Sequence, residues 1–326
     1  MTGPAQHVAG EHTAGEHTAG EHATGEDAVT SGLTEPVATG TGADPRVAVV
    51  VITHDRRDEL LLALSRLREL PEQPHVVVVD NASTDDTVAA VARAHPEVTV
   101  VPLPENVGAV ARSIGVKYAR TPFVAFTDDD SWWAPGDLAR AVAVMQASPR
   151  LGLLAARILV GPENRLDPVC TEMAGSPLGT EPDLPGPSLL GFVACAALVR
   201  VEAFTAVGGF DQVVRFPGEE ERVALDLAAA GWGLAYVDEV TVHHHPSPRR
   251  DADAVRQTGI WRSRVLTALM RYPLPALAGQ LLRAVRAGRP GVRGLAGAVP
   301  RVPAALRARR VLPTTVMSGV RELQEP

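Results

Sequence analysis

Hydrophobic residues recur along the chain in two alternating rhythms. Val47 to Ile52, Val76 to Val79, Val98 to Val101 and Phe123 to Thr127 are short runs rich in β-branched residues, the pattern of strands covered on both faces. Between the first two, Leu60, Leu61, Leu64 and Leu67 share one helical face, and Pro71 stops that helix. Val88 and Val91 begin a second helical face, a third helix runs to about Ala119, and a fourth begins near Pro135. Strand-helix units repeated at this spacing require right-handed crossovers. They predict an α/β fold with a mainly parallel sheet and ligands at the carboxyl ends of the strands.

The rhythm then changes. Leu151 to Ala155 and Gly191 to Arg200 read as strands flanking a Pro/Gly-rich loop over 161–187, long enough to face a substrate. A turn at Gly208-Gly209-Phe210-Asp211 precedes Gly218-Glu219-Glu220-Glu221, which opens a helix to Ala230, and Leu234 to Val242 returns as strand before His243-His244-His245. The last 80 residues predict short Arg-rich helices interrupted by Pro273, Pro275, Pro290, Pro300, Pro303 and Pro313. At the other end, the polar repeat Ala-Gly-Glu-His-Thr, from Ala9 and again from Ala14, has no face to bury and is expected to be disordered. His12, His17 and His22 within it read as part of a solvated tail, with weak metal binding as the alternative. The expected organisation is an acidic tail over 1–45, an α/β domain over 46–246 and a helical extension over 247–326.

Charge sharpens this division. Residues 1–45 carry seven acids and no Lys or Arg, whereas Arg249 to Arg310 holds fourteen arginines and two acids, a balance of +12 on a chain whose net charge is −7. Leu277, Leu281 and Leu282 with Arg283, Arg286 and Arg289 form an amphipathic basic stretch, suited to peripheral contact with an anionic membrane. The competing reading is a packed helical subdomain with its arginines in water. No apolar run is long enough to span a bilayer and no signal-peptide pattern opens the chain. Cys170 and Cys195 make neither a metal-ligand spacing nor a disulfide framework. A cytoplasmic protein is therefore expected, with peripheral contact at the inner face of the membrane as the reading the basic stretch adds, and with no nucleic-acid partner.

Candidate chemistry gathers where strands end. Thr53-His54-Asp55-Arg56 follows the first, Asp80 ends the second, and Asp128-Asp129-Asp130 ends the fourth. Three adjacent carboxylates repel one another, so a buried strand end carrying them calls for a cation or a set of donors. Hard oxygen ligands suit Mg²⁺ or Mn²⁺. The alternative is an acidic turn capping the next helix. Glu219 and Glu220 likewise sit where a helix dipole favours acids, so simple capping competes with catalysis there.

Taken in order, these blocks resemble the family-2 glycosyltransferases of the GT-A fold, over about Val47 to Pro246. The opening strand and turn, Val77-Val78-Val79-Asp80 with Asn81-Ala82-Ser83-Thr84-Asp85-Asp86, Asn106-Val107-Gly108 with Ala111-Arg112-Ser113-Ile114-Gly115, the D-x-D motif in Asp128-Asp129-Asp130, and the Gly208–Asp211, Gly218–Glu220 and Ala230–Trp232 blocks all match in sequence order. The resemblance implies a nucleotide-diphospho-sugar transferase with a Rossmann-like, mostly parallel sheet flanked by helices. It implies a UDP- or dTDP-sugar donor held by Thr53, Asp55, Asp80, Arg112 and Asp128. Mn²⁺ or Mg²⁺ would be held by Asp128, Asp130 and His243, and a sugar, lipid-linked or small-molecule acceptor would be activated by Glu220 or Glu219 for inverting transfer. Glu220 stands where the family usually has Asp, and Arg222 where it often has a second acid. Gln257-Thr258-Gly259-Ile260-Trp261 is similar to the Q-x-x-R-W signature of polysaccharide synthases but lacks its Arg, so transfer of one sugar at a time is expected. The competing functions are a nucleotidylyltransferase, disfavoured by the absence of glycine from the turn after the first strand, and a non-catalytic nucleotide-sugar binding protein.

Overall fold

The computed structural model describes residues 44–247 and 253–324. The repeat containing His12, His17 and His22 lies outside them, as do Arg249, Arg250 and Asp251 of the basic block. The predicted alternation is present as β1 (Val47–Thr53), α1 (Arg57–Arg68), β2 (His75–Asp80), α2 (Thr87–Ala94), β3 (Thr99–Pro102), α3 (Val110–Ala119), β4 (Phe123–Asp128) and α4 (Asp137–Ala147). Between β4 and α4 sits β5 (Ser131–Trp133), a strand too short to be read from the sequence. β6 (Leu151–Val160), β7 (Arg165–Leu166), α5 (Pro168–Ala174), β8 (Ala197–Arg200), α6 (Val201–Ala206), α7 (Glu220–Ala229) and β9 (Gly233–His244) follow.

The described strands form one sheet in the order β3-β2-β1-β4-β8-β6-β9-β5, with β7 paired to β6. β1 is parallel to β2 and β4, and β2 to β3, as the crossovers require. β8 is antiparallel to both β4 and β6, and β9 runs parallel to β6. Valines 47 and 49–51 of β1 are fully buried, because helices cover both faces of the sheet. α3 approaches β1 so closely that a Cβ on Gly115 would collide with Val50. That close packing fixes Arg112, three residues earlier on the same helix.

Two predicted segments differ. The strand expected from Gly191 is confined to Ala197–Arg200, preceded by a 3₁₀ turn at Ala194–Ala196. β8 pairs with β4 only at Phe123 to Ala125 and then diverges, which opens the sheet beside Asp128. The expected 161–187 loop contains β7 and α5, the helix being started by an Asp167 carboxylate that accepts from the Val169 amide at 3.0 Å and being anchored by buried Cys170 and Met173.

The C-terminal residues make α8 (Asp253–Arg271), α9 (Leu274–Arg286), α10 (Arg289–Ala298), α11 (Val302–Arg307) and α12 (Thr314–Glu322). They belong to the same compact unit as the sheet. Leu225 of α7, Ala268 and Tyr272 of the α8 end, and Val316, Met317 and Val320 of α12 share one buried cluster. No described helix is long and apolar enough to cross a membrane.

Candidate active site

Parallel pairing brings the separate acids to one edge. Thr53 is in register with Asp80 across β1 and β2, and Ile52 with Asp128 across β1 and β4. Asp80 is buried and accepts the Ser83 amide at 3.0 Å and also the Ser83 hydroxyl. The neighbouring Asn81 donates to the Gly108 carbonyl and accepts from the Val107 amide, each at 3.1 Å, so the second and third loops are tied together. Asp55 accepts the Thr84 amide at 2.6 Å while keeping much of its carboxylate exposed, and that bond holds its pKa below the usual carboxylate range. The Thr53 hydroxyl is spent on Asp129 at 3.0 Å. Thr53 and Asp80 thus brace loops, whereas Asp55 faces outward.

The acidic triplet divides by direction. Asp129 turns inward between Thr53 and Arg56, whose guanidinium donates to it at 3.0 Å, and burial pushes its pKa up to about 7. Asp128 is one-third exposed and is gripped by Arg112. Asp130 is buried, accepts the Ser247 amide at 3.0 Å and lies 3.7 Å from Arg56 and 3.4 Å from the Nε2 of His244. The turn is pinned by Ser131, whose hydroxyl accepts the Asp128 amide at 2.8 Å, and by Trp133, a fully buried indole donating to Phe126.

β5 pairs antiparallel with β9, placing Trp132 opposite His243 and Ser131 opposite His244. The alternation of β9 therefore separates the histidines by face. His243 and His245 both pack on the Trp132 ring, with His243 stacked at 5.9 Å and its Nδ1 3.0 Å from the Asn164 side chain. Burial and the neighbouring His245 hold the His243 pKa down. His244 is the histidine beside Asp130, and the structure does not bring His243 to the carboxylates. Among the described residues no three His, Cys, Asp or Glu side chains gather into a metal-holding group. A hard cation bound largely through a substrate's phosphates needs only one or two protein carboxylates, and Asp128 and Asp130 suit that role by kind and place.

Arg112 links this edge to α7. It is buried, donates to Asp128, lies 3.8 Å from Glu219, and stands 5.7 Å over the Phe210 ring. The Gly208–Asp211 turn is held on α3 by Ser113, whose hydroxyl accepts the Phe210 amide at 2.8 Å. Gly209 has φ +55°, and a side chain there would strike Phe204 and Ser113. Glu219, at the mouth of α7, is 1% exposed, and neither carboxylate oxygen has a hydrogen-bond partner; the Nε and Nη1 atoms of Arg112 also lack one. Burial first, then the charge of Glu220, pushes the Glu219 pKa up to about 8. Glu220, half-buried and likewise raised by burial, lines a cavity of about 820 Å³ between α5, α7 and the C-terminal helices.

Arg222, which looked like a departure in the acceptor subsite, points into the fold. It contacts Asp211 at 2.7 Å, Asp226 at 2.6 Å and the Gly209 carbonyl. Arg271 of α8 grips the same Asp226, with one contact at 2.8 Å. The Arg222 arm is an i, i+4 pair on α7, whereas the Arg271 arm is not legible locally, since Asp226 and Arg271 lie 45 residues apart.

The family model for glycosyl transferase family 2 matches residues 48–208. The chain is 27% identical over 234 residues to an N-acetylglucosaminyl-diphospho-decaprenol L-rhamnosyltransferase of Mycobacterium tuberculosis, covering 62% of this chain and 75% of the relative. It is 32% identical over 246 residues to a pre-mycofactocin glycosyltransferase of the same species, covering 69% of this chain but only 50% of that relative's length. A mannosyltransferase of Pyrobaculum calidifontis, solved with GDP-Man and Mn²⁺, superposes with a TM-score of 0.55 at 20% identity, covering 91% of this chain and 92% of the other, a likeness of fold. The chain belongs to glycosyl transferase family 2 and is a glycosyltransferase with the GT-A fold.

Proposed function

We propose that the protein transfers a single sugar from a nucleotide-sugar, a UDP- or dTDP-sugar, to a hydroxyl acceptor with inversion at the anomeric carbon. One observation carries this reading: the buried Arg112–Glu219 pair, with polar atoms lacking partners, stands between Asp128 at the strand edge and the cavity lined by Glu220. Buried polar atoms left unsatisfied are costly, and a substrate's phosphate and sugar hydroxyls would satisfy them. Asp55 and Asp128 would contact the nucleotide, with Thr53 and Asp80 positioning the loops that carry them. Mn²⁺ or Mg²⁺ held by Asp128 and Asp130 would offset charge growing on the leaving diphosphate.

Glu220 is the group that meets the acceptor. Its carboxylate takes the proton from the acceptor hydroxyl as that oxygen bonds to the anomeric carbon, while the bond to the diphosphate oxygen breaks and the nucleoside diphosphate departs. Burial raises its pKa, which strengthens it as a base. Glu219 faces Arg112 and acts through it, orienting the guanidinium that also holds Asp128. Glu220→Gln is expected to slow transfer by roughly 10²–10⁴-fold with nucleotide binding retained. Full turnover by that variant would remove Glu220 from the reaction and reopen the non-catalytic reading. The anomeric configuration of the product, read by NMR, tests inversion. Family membership leaves the nucleotidylyltransferase alternative without support.

A second contact is proposed at the C-terminal helices. Leu281, Leu282 and Val285 of α9 are exposed close to Arg286 and Arg289 in the sequence, a composition suited to an anionic bilayer surface. Sedimentation with phosphatidylglycerol vesicles but not phosphatidylcholine vesicles is the expected result, and equal sedimentation with both would refute it.

A further inference from the structure

The cavity beside Glu220 carries more positive charge than its own ion pairs use. Arg256, Arg264 and Arg283 line it, and none of the three forms an ion pair among the described residues. Two of them are held by neutral groups instead. The Arg264 guanidinium lies 5.5 Å over the Trp261 ring, and Arg283 donates to the Gln324 side-chain carbonyl. Both charges reach the phenol of Tyr272, whose hydroxyl donates to Glu221 at 3.0 Å, so Arg264 and Arg283 converge on one part of the cavity. The acids of the lining are Glu172, Glu220 and Glu221; Glu221 already accepts from Tyr272 and feels the charge of Arg264, and none of the three acids forms an ion pair with these arginines among the described residues. Guanidinium groups held in place by neutral partners are set up for bidentate binding of an anion, phosphate above all.

We infer that this cavity binds a phosphate or diphosphate group of the acceptor through Arg256, Arg264 and Arg283, so that the acceptor's hydroxyl is presented to Glu220. The inference rests on the glycosyl-transfer reading above and names the acceptor class: a phosphorylated molecule. The apolar share of the lining, including Leu189, Phe192, Ile260 and Trp261, accommodates an organic portion attached to that phosphate. A volume of about 820 Å³ is sufficient for a sugar phosphate together with part of its aglycone.

The test titrates the full chain in EDTA with farnesyl diphosphate, farnesol and inorganic diphosphate, following tryptophan fluorescence, since Trp261 lies in the cavity. The same titrations are run on Arg264→Gln/Arg283→Gln, whose replaced side chains are exposed, with urea unfolding as the check that the variant folds. Binding of farnesyl diphosphate that weakens by roughly ten-fold or more in the variant, with farnesol also roughly ten-fold weaker than farnesyl diphosphate, supports the inference. If inorganic diphosphate then binds as well as farnesyl diphosphate, the phosphate site stands and the acceptor is a soluble phosphorylated compound. If it binds more weakly, the acceptor is an amphiphile. Equal binding of farnesol and farnesyl diphosphate, or an unchanged affinity in the variant, overturns the inference. Thermal shifts with UDP, dTDP and GDP in Mn²⁺ are measured in parallel, so that loss of the donor reading is distinguished from loss of the acceptor site.

Discussion

Asp226 joins the sheet domain to the helices that complete the cavity, and its removal has a calculable cost. Its carboxylate accepts from Arg222 at 2.6 Å and from two nitrogens of Arg271, one of them at 2.8 Å. Both guanidiniums are nearly buried, at 3% and 6% exposure. Asp226→Ala leaves Arg222 with Asp211 as its remaining acid, whereas Arg271 keeps only carbonyl partners, Met270 at 3.2 Å and Ala308 at 2.8 Å. Stripping one partner from a buried pair costs about 3–5 kcal/mol, because the surviving charge is left uncompensated. The retained Asp211 and carbonyl contacts place this case at the lower end, near ~3 kcal/mol, a large fraction of a total stability of roughly 5–15 kcal/mol. Asp226→Asn keeps one acceptor and is expected to lose less. Urea unfolding followed by circular dichroism gives the difference in free energy. Because α8 carries Arg256, Ile260, Trp261 and Arg264 into the cavity wall, acceptor KM should rise more than donor KM. A loss under ~1 kcal/mol for Asp226→Ala would show that the clamp is solvated and that the reasoning is wrong.

Glu219 supplies a pH test with a definite sign. Its folded pKa of about 8 exceeds the ordinary 4.5, so between those values the native state binds more protons than the unfolded chain. Its contribution to stability is therefore full below about pH 4.5 and is lost as pH rises through about 8, a swing of up to ~5 kcal/mol. Glu219→Gln does not ionise, so its advantage over the parent protein should widen between pH 5 and pH 8; parallel urea profiles across that range would refute the assignment. The histidines are separated by substitution. His244→Ala should weaken Mn²⁺ binding in the presence of UDP by roughly ten-fold, as loss of a metal-proximal group does, while His243→Ala stays near the parent protein. Manganese electron paramagnetic resonance reads both, and the reverse ranking would return the metal to the Trp132 face.

What the sequence disclosed and what it withheld follow from how far each residue's position depends on distant chain. Buried β-branched runs declare themselves, because covering on both faces demands continuous hydrophobicity, and the acids ending those runs are then placed by parallel register alone. Thus Asp80 and Asp128 could be assigned to one edge before any coordinates. Runs of like residues give no such purchase. In His243-His244-His245 the choice of face turns on strand parity, which is fixed by pairing with β5, a three-residue strand in which Trp132 faces His243 from 111 positions earlier. In Glu219-Glu220-Glu221 it turns on the rotation of α7, which the Arg222–Asp226–Arg271 clamp helps to hold. One residue of rotation would exchange the acid facing Arg112 for the acid facing the cavity. The division between donor and acceptor chemistry proposed at α7 thus depends on a buried ion cluster outside both proposed substrate sites, and Arg222, an apparent anomaly in the acceptor motif, belongs to that cluster.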